Sequence, residues 1–257
     1  MMNAPSSELS DVEIARYARQ LILPEIGDEG QERLKASKIG IIGAGGLGIP
    51  ILMMAASAGF GTITMMDDDV VELTNLNRQF TYHETDIGSP KAQRAVDVAS
   101  AQNPHITITA QPSRFDTHTA QEFCETHDLI IDASDNLETR RLANQMTRQT
   151  QTALLFVSAI RFEGQMAFFN HQGGHRACYE CLFPHHPAVG DVPNCATVGI
   201  AGPITAIMGS WAVLEAIKYQ LGLASDIQNH LLLFDGLQPR TDLIKIKHQS
   251  ACQICGA

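Results

Sequence analysis

Three features of the sequence predict an α/β fold built on a doubly wound, Rossmann-like and mostly parallel sheet. A short apolar run, Lys38-Ile39-Gly40-Ile41-Ile42, leads directly into a glycine cluster, Gly43-Ala44-Gly45-Gly46-Leu47-Gly48. A small-residue apolar segment follows through Ala58, and Thr62 to Met66 then makes a second strand candidate. Short apolar runs continue to alternate with helical segments up to Asp132, the β-α-β order of parallel strands joined by crossover helices.

In chain order, Ser10-Asp11-Val12-Glu13 has the capping-box pattern, so a helix begins there and runs through Tyr17 and Gln20 until Pro24 and Gly27 interrupt it. A short helix through Glu32 and Leu34 precedes the first strand. Pro50 falls in the first turn of the helix after the glycine cluster, where a missing N–H costs least. Glu72 to Gln79 is polar and aperiodic, a functional loop or short helix. Gly88-Ser89-Pro90-Lys91 opens a helix to about Ala101, and Ile106 to Ala110 is a strand. Asp128 to Asp132 is a short buried strand, followed by Ala133-Ser134-Asp135-Asn136 and a helix to about Met146. Ala153 to Ser158 and Met166 to Asn170 supply further strands. Between Cys178 and Pro203 the prolines Pro184, Pro187, Pro193 and Pro203 mark a long irregular connection. An amphipathic helix from about Thr205 to Leu221, with Ile207, Trp211, Leu214 and Leu221 on one face, stops at Gly222. A last strand, Leu231 to Phe234, precedes a basic tail.

The 257 residues suit one large α/β domain or one domain with an appendage, and 44% hydrophobic content supports a sizeable core. The N-terminal stretch lacks the basic and apolar regions of a secretory signal, and no apolar run is long enough for a membrane span. A formal net charge of −10 argues against nonspecific nucleic-acid binding, because phosphate backbones select basic surfaces. A cytoplasmic enzyme is the expected class, with no nucleic acid and no membrane among its partners.

The spacing of Gly43, Gly45 and Gly48 is that of the nucleotide-binding fingerprint: such glycines allow a tight turn, close phosphate approach and close helix packing. The following helix N-terminus offers unpaired N–H groups to an anion. Asp67-Asp68-Asp69 stands at about the ~20-residue interval of a ribose contact. A glycine turn in an ordinary α/β fold is the plain alternative, but strand, helix and acid occur together here. Cys178-x-x-Cys181 and Cys252-x-x-Cys255 match the two halves of a closed, structural Zn²⁺ site that would fasten the C-terminal tail. A redox dithiol, or His175, His185 or His186 in place of one cysteine, are the competing readings. With only 18 basic residues in the chain, Arg78 and Lys91 beyond the acidic triplet are candidate phosphate partners, or else solvated surface charges. Asp135 and Asn136 fall at the carboxyl edge of the sheet, where a carboxylate can hold Mg²⁺ or, alternatively, cap the next helix.

Together these motifs resemble the E1-like activating enzymes of the ThiF/MoeB/HesA family over nearly the whole chain. The matching pieces are Arg16-Tyr17-Ala18-Arg19-Gln20, the Gly43 to Gly48 loop, Asp67-x-Asp69-x-Val71 and Asn75-Leu76-Asn77-Arg78-Gln79. Gly88-x-Pro90-Lys91, Ser134-Asp135-Asn136, both CxxC pairs and Cys195-Ala196-Thr197-Val198-Gly199 complete the set. The resemblance implies transfer of AMP from ATP to the C-terminal glycine carboxylate of a small ubiquitin-like sulfur-carrier protein ending in Gly-Gly. It implies that Gly46 and its loop face the phosphates, that Asp67 meets the ribose, and that Asn75 and Arg78 contact the triphosphate. Lys91 would lie beside the phosphates and Asp135 would hold Mg²⁺; Asp69, Gln79 and Asn136 complete the implied nucleotide site. In that family the Arg19 position reaches into the partner subunit's site, which implies a homodimer. Cys178, Cys181, Cys252 and Cys255 fall on the zinc ligands.

The resemblance also divides the single domain into a nucleotide-binding core, about 1–160, and a carrier-binding, zinc-clamped part, about 161–257. Cys195 matches a cysteine that takes part in sulfur transfer in the thiamine branch; a buried, inert cysteine is the alternative. The stretch Cys195-x-Thr197-x-Gly199 with Gly202-Pro203, and Leu233-Phe234-Asp235-Gly236, looks more like the thiamine branch than the molybdopterin one. Asn77, where the loop often has Gln, and Pro50 are the departures. The chain ends shortly after Cys255, so sulfur is expected from a separate donor, a cysteine desulfurase or a rhodanese-type protein. Two other classes stay open at this point: an NAD(P)-dependent oxidoreductase, which shares the glycine loop and distal acid, and a non-catalytic scaffold for a ubiquitin-like protein.

Overall fold

The computed structural model describes residues 8–171, 177–184 and 198–256. Cys195, His175, His185, His186 and most of the irregular connection lie outside the described residues.

Two helices, α1 (Asp11–Leu21) and α2 (Gly27–Ala36), precede the sheet. The core units follow as β1 (Lys38–Ile42), α3 (Gly48–Ala58), β2 (Thr62–Met66), α4 (Lys91–Gln102), β3 (Thr107–Gln111), α5 (Ala120–Glu125), β4 (Leu129–Asp132) and α6 (Leu137–Thr150). The second half comprises β5 (Ala153–Ile160), β6 (Glu163–Phe169), a single turn α7 (Tyr179–Leu182), the long helix α8 (Gly202–Leu221), β7 (His230–Asp235) and β8 (Arg240–Lys245).

One sheet of eight strands runs β3-β2-β1-β4-β5-β6-β7-β8. The first five are parallel and the last three antiparallel, so the doubly wound, mostly parallel expectation holds. The central strands are buried on both faces, as sheets covered by helices on each side require. One face packs Ile39, Ile41, Ile63 and Leu155 against α3, α4 and α8. The other packs Ile42, Ile130, Leu154 and Phe156 against α5, α6 and the Cys178 turn.

At the N-terminal end, Ser10 Oγ accepts from Glu13 N while the Glu13 carboxylate accepts from Ser10 N. Glu13 also pairs with Lys35 of α2 at 2.8 Å, and Asn103 donates to the Tyr17 hydroxyl. These contacts fix α1, the helix that carries Arg19.

Two expectations need correction. The spacing in α8 puts Ile207, Trp211 and Leu214 on the buried face with Leu221. The structure buries Ile204, Met208, Ala212, Val213 and Ala216 with Leu221 instead, leaving Ile207 43% and Leu214 51% exposed and Trp211 half-buried. Close approach decides this: a Cβ at Gly209 would meet Pro50 Cγ at 2.5 Å, so the stripe of small residues, not of large ones, faces α3. The basic tail, in turn, contains a strand. β8 is exposed at all six positions, so its apolar and polar residues need not alternate, and periodicity gives no signal there. Among the described residues no helix is long and apolar enough to cross a membrane.

Burial pushes the Glu13 carboxyl up, but its hydrogen bonds to Lys35 and Ser10 outweigh that and hold it below the usual range. Its contribution is therefore present above the unfolded value of about 4.3 and is lost as pH falls through the lower folded value. The native chain is expected to melt above Glu13→Gln at pH 7, with the difference in Tm closing as the pH is taken down to about 3; thermal melts across that range check it.

Candidate functional site

β1 pairs with both β2 and β4, and the chain leaves β1 and β4 toward helices on opposite faces of the sheet. A cavity of about 760 Å³ opens at this point, beyond the carboxyl ends of the strands. That is the topological switch point where ligands bind in open α/β sheets.

The glycine loop forms its floor. Gly43 sits at φ 98°, donates to Met66 O, and lies so close to the β4 loop that a Cβ would meet Ala133 O at 3.0 Å. At Gly48 a Cβ would overlap the Gly43 carbonyl. Helix α3 has no side-chain cap, and the N–H groups of Gly45, Gly46 and Leu47 have no acceptor among the described residues. Unpaired amides at a helix N-terminus are an anion site. Asp67 closes this loop onto β2: its two oxygens accept from Ala44 N at 2.6 Å and Asp69 N at 2.8 Å. Burial raises its carboxyl above the usual value despite those two amides.

The cations come from two segments clipped together beyond β2. Val71 N bonds Ser89 O, Gly88 N bonds Val71 O, and Lys91 N bonds Asp69 O. Lys91 is buried, and its ammonium pairs with the exposed Asp69 at 2.8 Å. The Tyr82 hydroxyl donates to Ala44 O, or to Lys91 O, which ties this helix start to the glycine loop. Arg78 lines the cavity, its guanidinium donating to Thr74 O and Asn77 Oδ1. Asn75 is buried and receives the Glu72 amide. Buried Gln79 also lines the cavity, with an Oε1 that has no hydrogen-bond partner among the described residues.

Across the cavity, Asn136 Oδ1 accepts from Thr139 N and is the N-cap of α6. The exposed Asp135 carboxylate has no hydrogen bond or ion pair among the described residues, which leaves it free for a cation. Of the two polar residues at this edge, Asn136 caps and Asp135 is available. The sequence reasoning missed Arg140, Gln165, Thr205 and Tyr179, which also line the cavity. For Arg140 a signal exists: it lies in the first turn of α6, beside the acid already singled out. The others follow no local pattern.

Arg19 is exposed on α1 and does not line its own chain's cavity. The four cysteines meet in one cluster, all Sγ atoms within 4.8 Å of one another. Cys178 to Cys252 is 3.7 Å and Cys181 to Cys255 is 3.3 Å. Those spacings approach the ~3.8 Å edge of a tetrahedral Zn–thiolate site with ~2.3 Å bonds. Burial, with the neighbouring thiols, raises the Cys178 thiol to about 11, and a divalent cation would supply the charge that favours thiolates at this cluster. Gln249 N donates to Cys181 Sγ at 3.4 Å, an outer contact of the kind that supports metal ligands.

Comparison with known proteins agrees with this arrangement. The ThiF family model matches residues 17–255. The sulfur carrier protein adenylyltransferase of Thermus thermophilus is 40% identical over 247 residues, which are 95% of this chain and 91% of that protein. The SAMP-activating enzyme E1 of Haloferax volcanii is 35% identical, covering 96% and 91%. The adenylyltransferase and sulfurtransferase MOCS3 of Mus musculus is 38% identical, and there 98% of this chain spans only 55% of the relative. Among solved structures, E. coli MccB with MccA-N7isoASN shares the fold at 18% identity with a TM-score of 0.82, over 94% of this chain and 75% of that one. A match that takes in the glycine loop, both cation-bearing segments and all four clustered cysteines means that this chain belongs to the ThiF family.

Proposed function

We propose that this chain is an adenylyltransferase that moves AMP from ATP onto the C-terminal glycine carboxylate of a ubiquitin-like sulfur-carrier protein, releasing pyrophosphate. One observation carries this reading: free loop amides, Arg78, Lys91 and an unpaired Asp135 converge on one cavity. A carboxylate is already anionic at neutral pH, its reference pKa being about 4, so its attack on the α-phosphorus needs no general base. It needs alignment and relief of repulsion between two anions. The carboxylate oxygen forms the new bond to the α-phosphorus as the bond to the bridging oxygen breaks, and the electron pair leaves with pyrophosphate.

In this assignment the amides of Gly45 and Gly46 hold phosphate oxygens, Asp67 faces the ribose, and Asn75, Arg78 and Gln79 line the triphosphate. Lys91 exchanges Asp69 for a phosphate. Asp135, with Asn136 fixing the start of α6, would hold Mg²⁺, which screens phosphate charge when bound. A second, smaller trough along β6, β7 and β8 shares Gln165 with the cavity, and the Gly-Gly tail would run along it. The core up to about 160 would then serve the nucleotide, and the part from about 161 the carrier and the zinc clamp. A thiamine-type carrier ranks before a molybdopterin-type one, on the Cys195 and Leu233-Phe234-Asp235-Gly236 stretches. Sulfur would then come from a cysteine desulfurase or rhodanese-type donor, with Cys195 as the candidate for a covalent step. Exposed Met54, Ile207 and Leu214 leave an apolar face for a second copy, and a homodimer would let Arg19 complete the neighbour's site.

Arg78→Ala and Asp135→Ala are each expected to lower carrier-dependent pyrophosphate exchange by on the order of a hundredfold, ~3 kcal/mol, with melting little changed. Near-native exchange in either variant would remove its role. If Arg19 acts across a two-fold dimer, an equal mixture of Arg19→Ala and Asp135→Ala chains should recover about a quarter of native exchange, because mixed dimers regain one complete site. No recovery after subunit exchange counts against the shared site. Metal analysis should find about one zinc per chain, lost in Cys252→Ser together with a fall in Tm. Metal-free protein with four titratable thiols would end the clamp assignment.

A further inference from the structure

Helix α6 joins the cavity to the cysteine turn, and Arg140 stands where the parts meet. One guanidinium nitrogen donates both to Ser134 O, at 2.9 Å, and to Ser158 Oγ, at 3.3 Å. The guanidinium carbon lies 5.1 Å from the centre of the Phe156 ring. Phe156 in turn meets Tyr179 of the Cys178–Cys181 turn edge-on, with ring centres 5.1 Å apart. Two further side chains hold α6 to that turn: Asn144 accepts from Tyr179 N at 3.0 Å, and Arg141 pairs with Glu180 at 3.4 Å. Beneath the loop lies Asp132, 1% exposed, with one oxygen accepting from Ser134 N and the other without a hydrogen-bond partner among the described residues.

We infer that Arg140 is a positioning residue: it pins the Ser134–Asp135 loop to β5 and to the Tyr179 turn, and so sets where a cation held by Asp135 sits. The inference rests on the cation role of Asp135 proposed above. Its physical basis is the flat, delocalised guanidinium of arginine: one terminal nitrogen bonds both oxygens while the cation lies over the Phe156 ring, and lysine supplies the charge without that flat group. Among the described residues no other side chain bonds the Ser134 carbonyl. Without Arg140 the loop keeps the Asp132–Ser134 turn but loses its tie to β5. The cysteine cluster and the nucleotide cavity are then linked through α6 rather than being separate features of one chain.

Calorimetry of ATP binding, with Mg²⁺ and with chelator, tests this on the 257-residue chain. Metal-free ATP should bind native protein and Arg140→Ala alike, while the gain in affinity that Mg²⁺ confers falls by on the order of tenfold in the variant. Arg140→Lys should recover the native Tm, through its charge beside Asp132, yet keep most of that loss. It carries the test if the alanine variant does not fold. In carrier-dependent exchange, Arg140→Ala should cost on the order of tenfold to a hundredfold alone, but less than about threefold in an Asp135→Asn background. A Mg²⁺ gain that survives intact in Arg140→Ala, or full recovery in Arg140→Lys, overturns the inference alone. A native chain that gains nothing from Mg²⁺ overturns the cation role of Asp135 and this inference with it.

Discussion

The parallel pairing of β1 with β4 is the constraint on which the site depends. It sets Ile42 opposite Asp132, so two segments leave the sheet side by side, one into the glycine loop and one into Ala133–Asn136. Because their helices pack on opposite faces, the gap between the loops stays open. The positive φ of Gly43 lets the two loops touch backbone to backbone. Other groups are placed by reference to that gap. Asp67 reaches it through Ala44, Lys91 through the clip between residues 69–71 and 88–91, and Thr205 by packing on Gly46.

Charge is distributed with the same economy. The chain is acidic overall, at −10, and its cavity sets Arg78, Lys91, Arg114 and Arg140 among the carboxylates of Asp67, Asp68, Asp69, Glu72 and Asp135. A buried ammonium needs a partner, and Lys91 has the exposed carboxylate of Asp69. An exposed partner is readily exchanged, because water solvates it once released. Asp132 differs: it is buried, carries no exchangeable ion pair, and burial raises its carboxyl although Arg140 and Ser134 oppose that. It serves the loop's shape rather than its ligand.

The cysteine cluster lies on the α6 face of the sheet, packed on Ala167, Phe169 and Leu231. Joining the Cys178 turn to the C-terminal segment there lets residues far apart in the chain share a rigid support. The turn between Cys178 and Cys181 carries Tyr179 and Glu180 toward α6, so the cysteine cluster and one wall of the cavity share this turn.

Much of this was legible in the sequence because it is written in contiguous residues. Glycine spacing, a capping box, short apolar runs and the two CxxC pairs each act over a few positions, and they placed β1, α3, β2, β4 and the cysteine cluster within a residue or two. Arg78, Lys91 and Asp135 were legible as neighbours of such signals, and all three line the cavity. What the sequence could not convey depends on contacts between distant segments, or on their absence. The buried face of α8 is chosen by the fit of Gly209 to Pro50, not by the helix's own nearly uniform apolarity. β8 is invisible because an exposed edge strand has no face to bury. Arg140 stands close to Asp135 in the sequence, but its contacts are not legible there, because only the tertiary structure sets Ser158, Phe156 and Tyr179 around it. The sequence by itself determined the fold class and the chemistry on offer, since local spacing encodes both; the tertiary structure decided which side chains share a cavity, since that is set by packing between segments far apart in the chain.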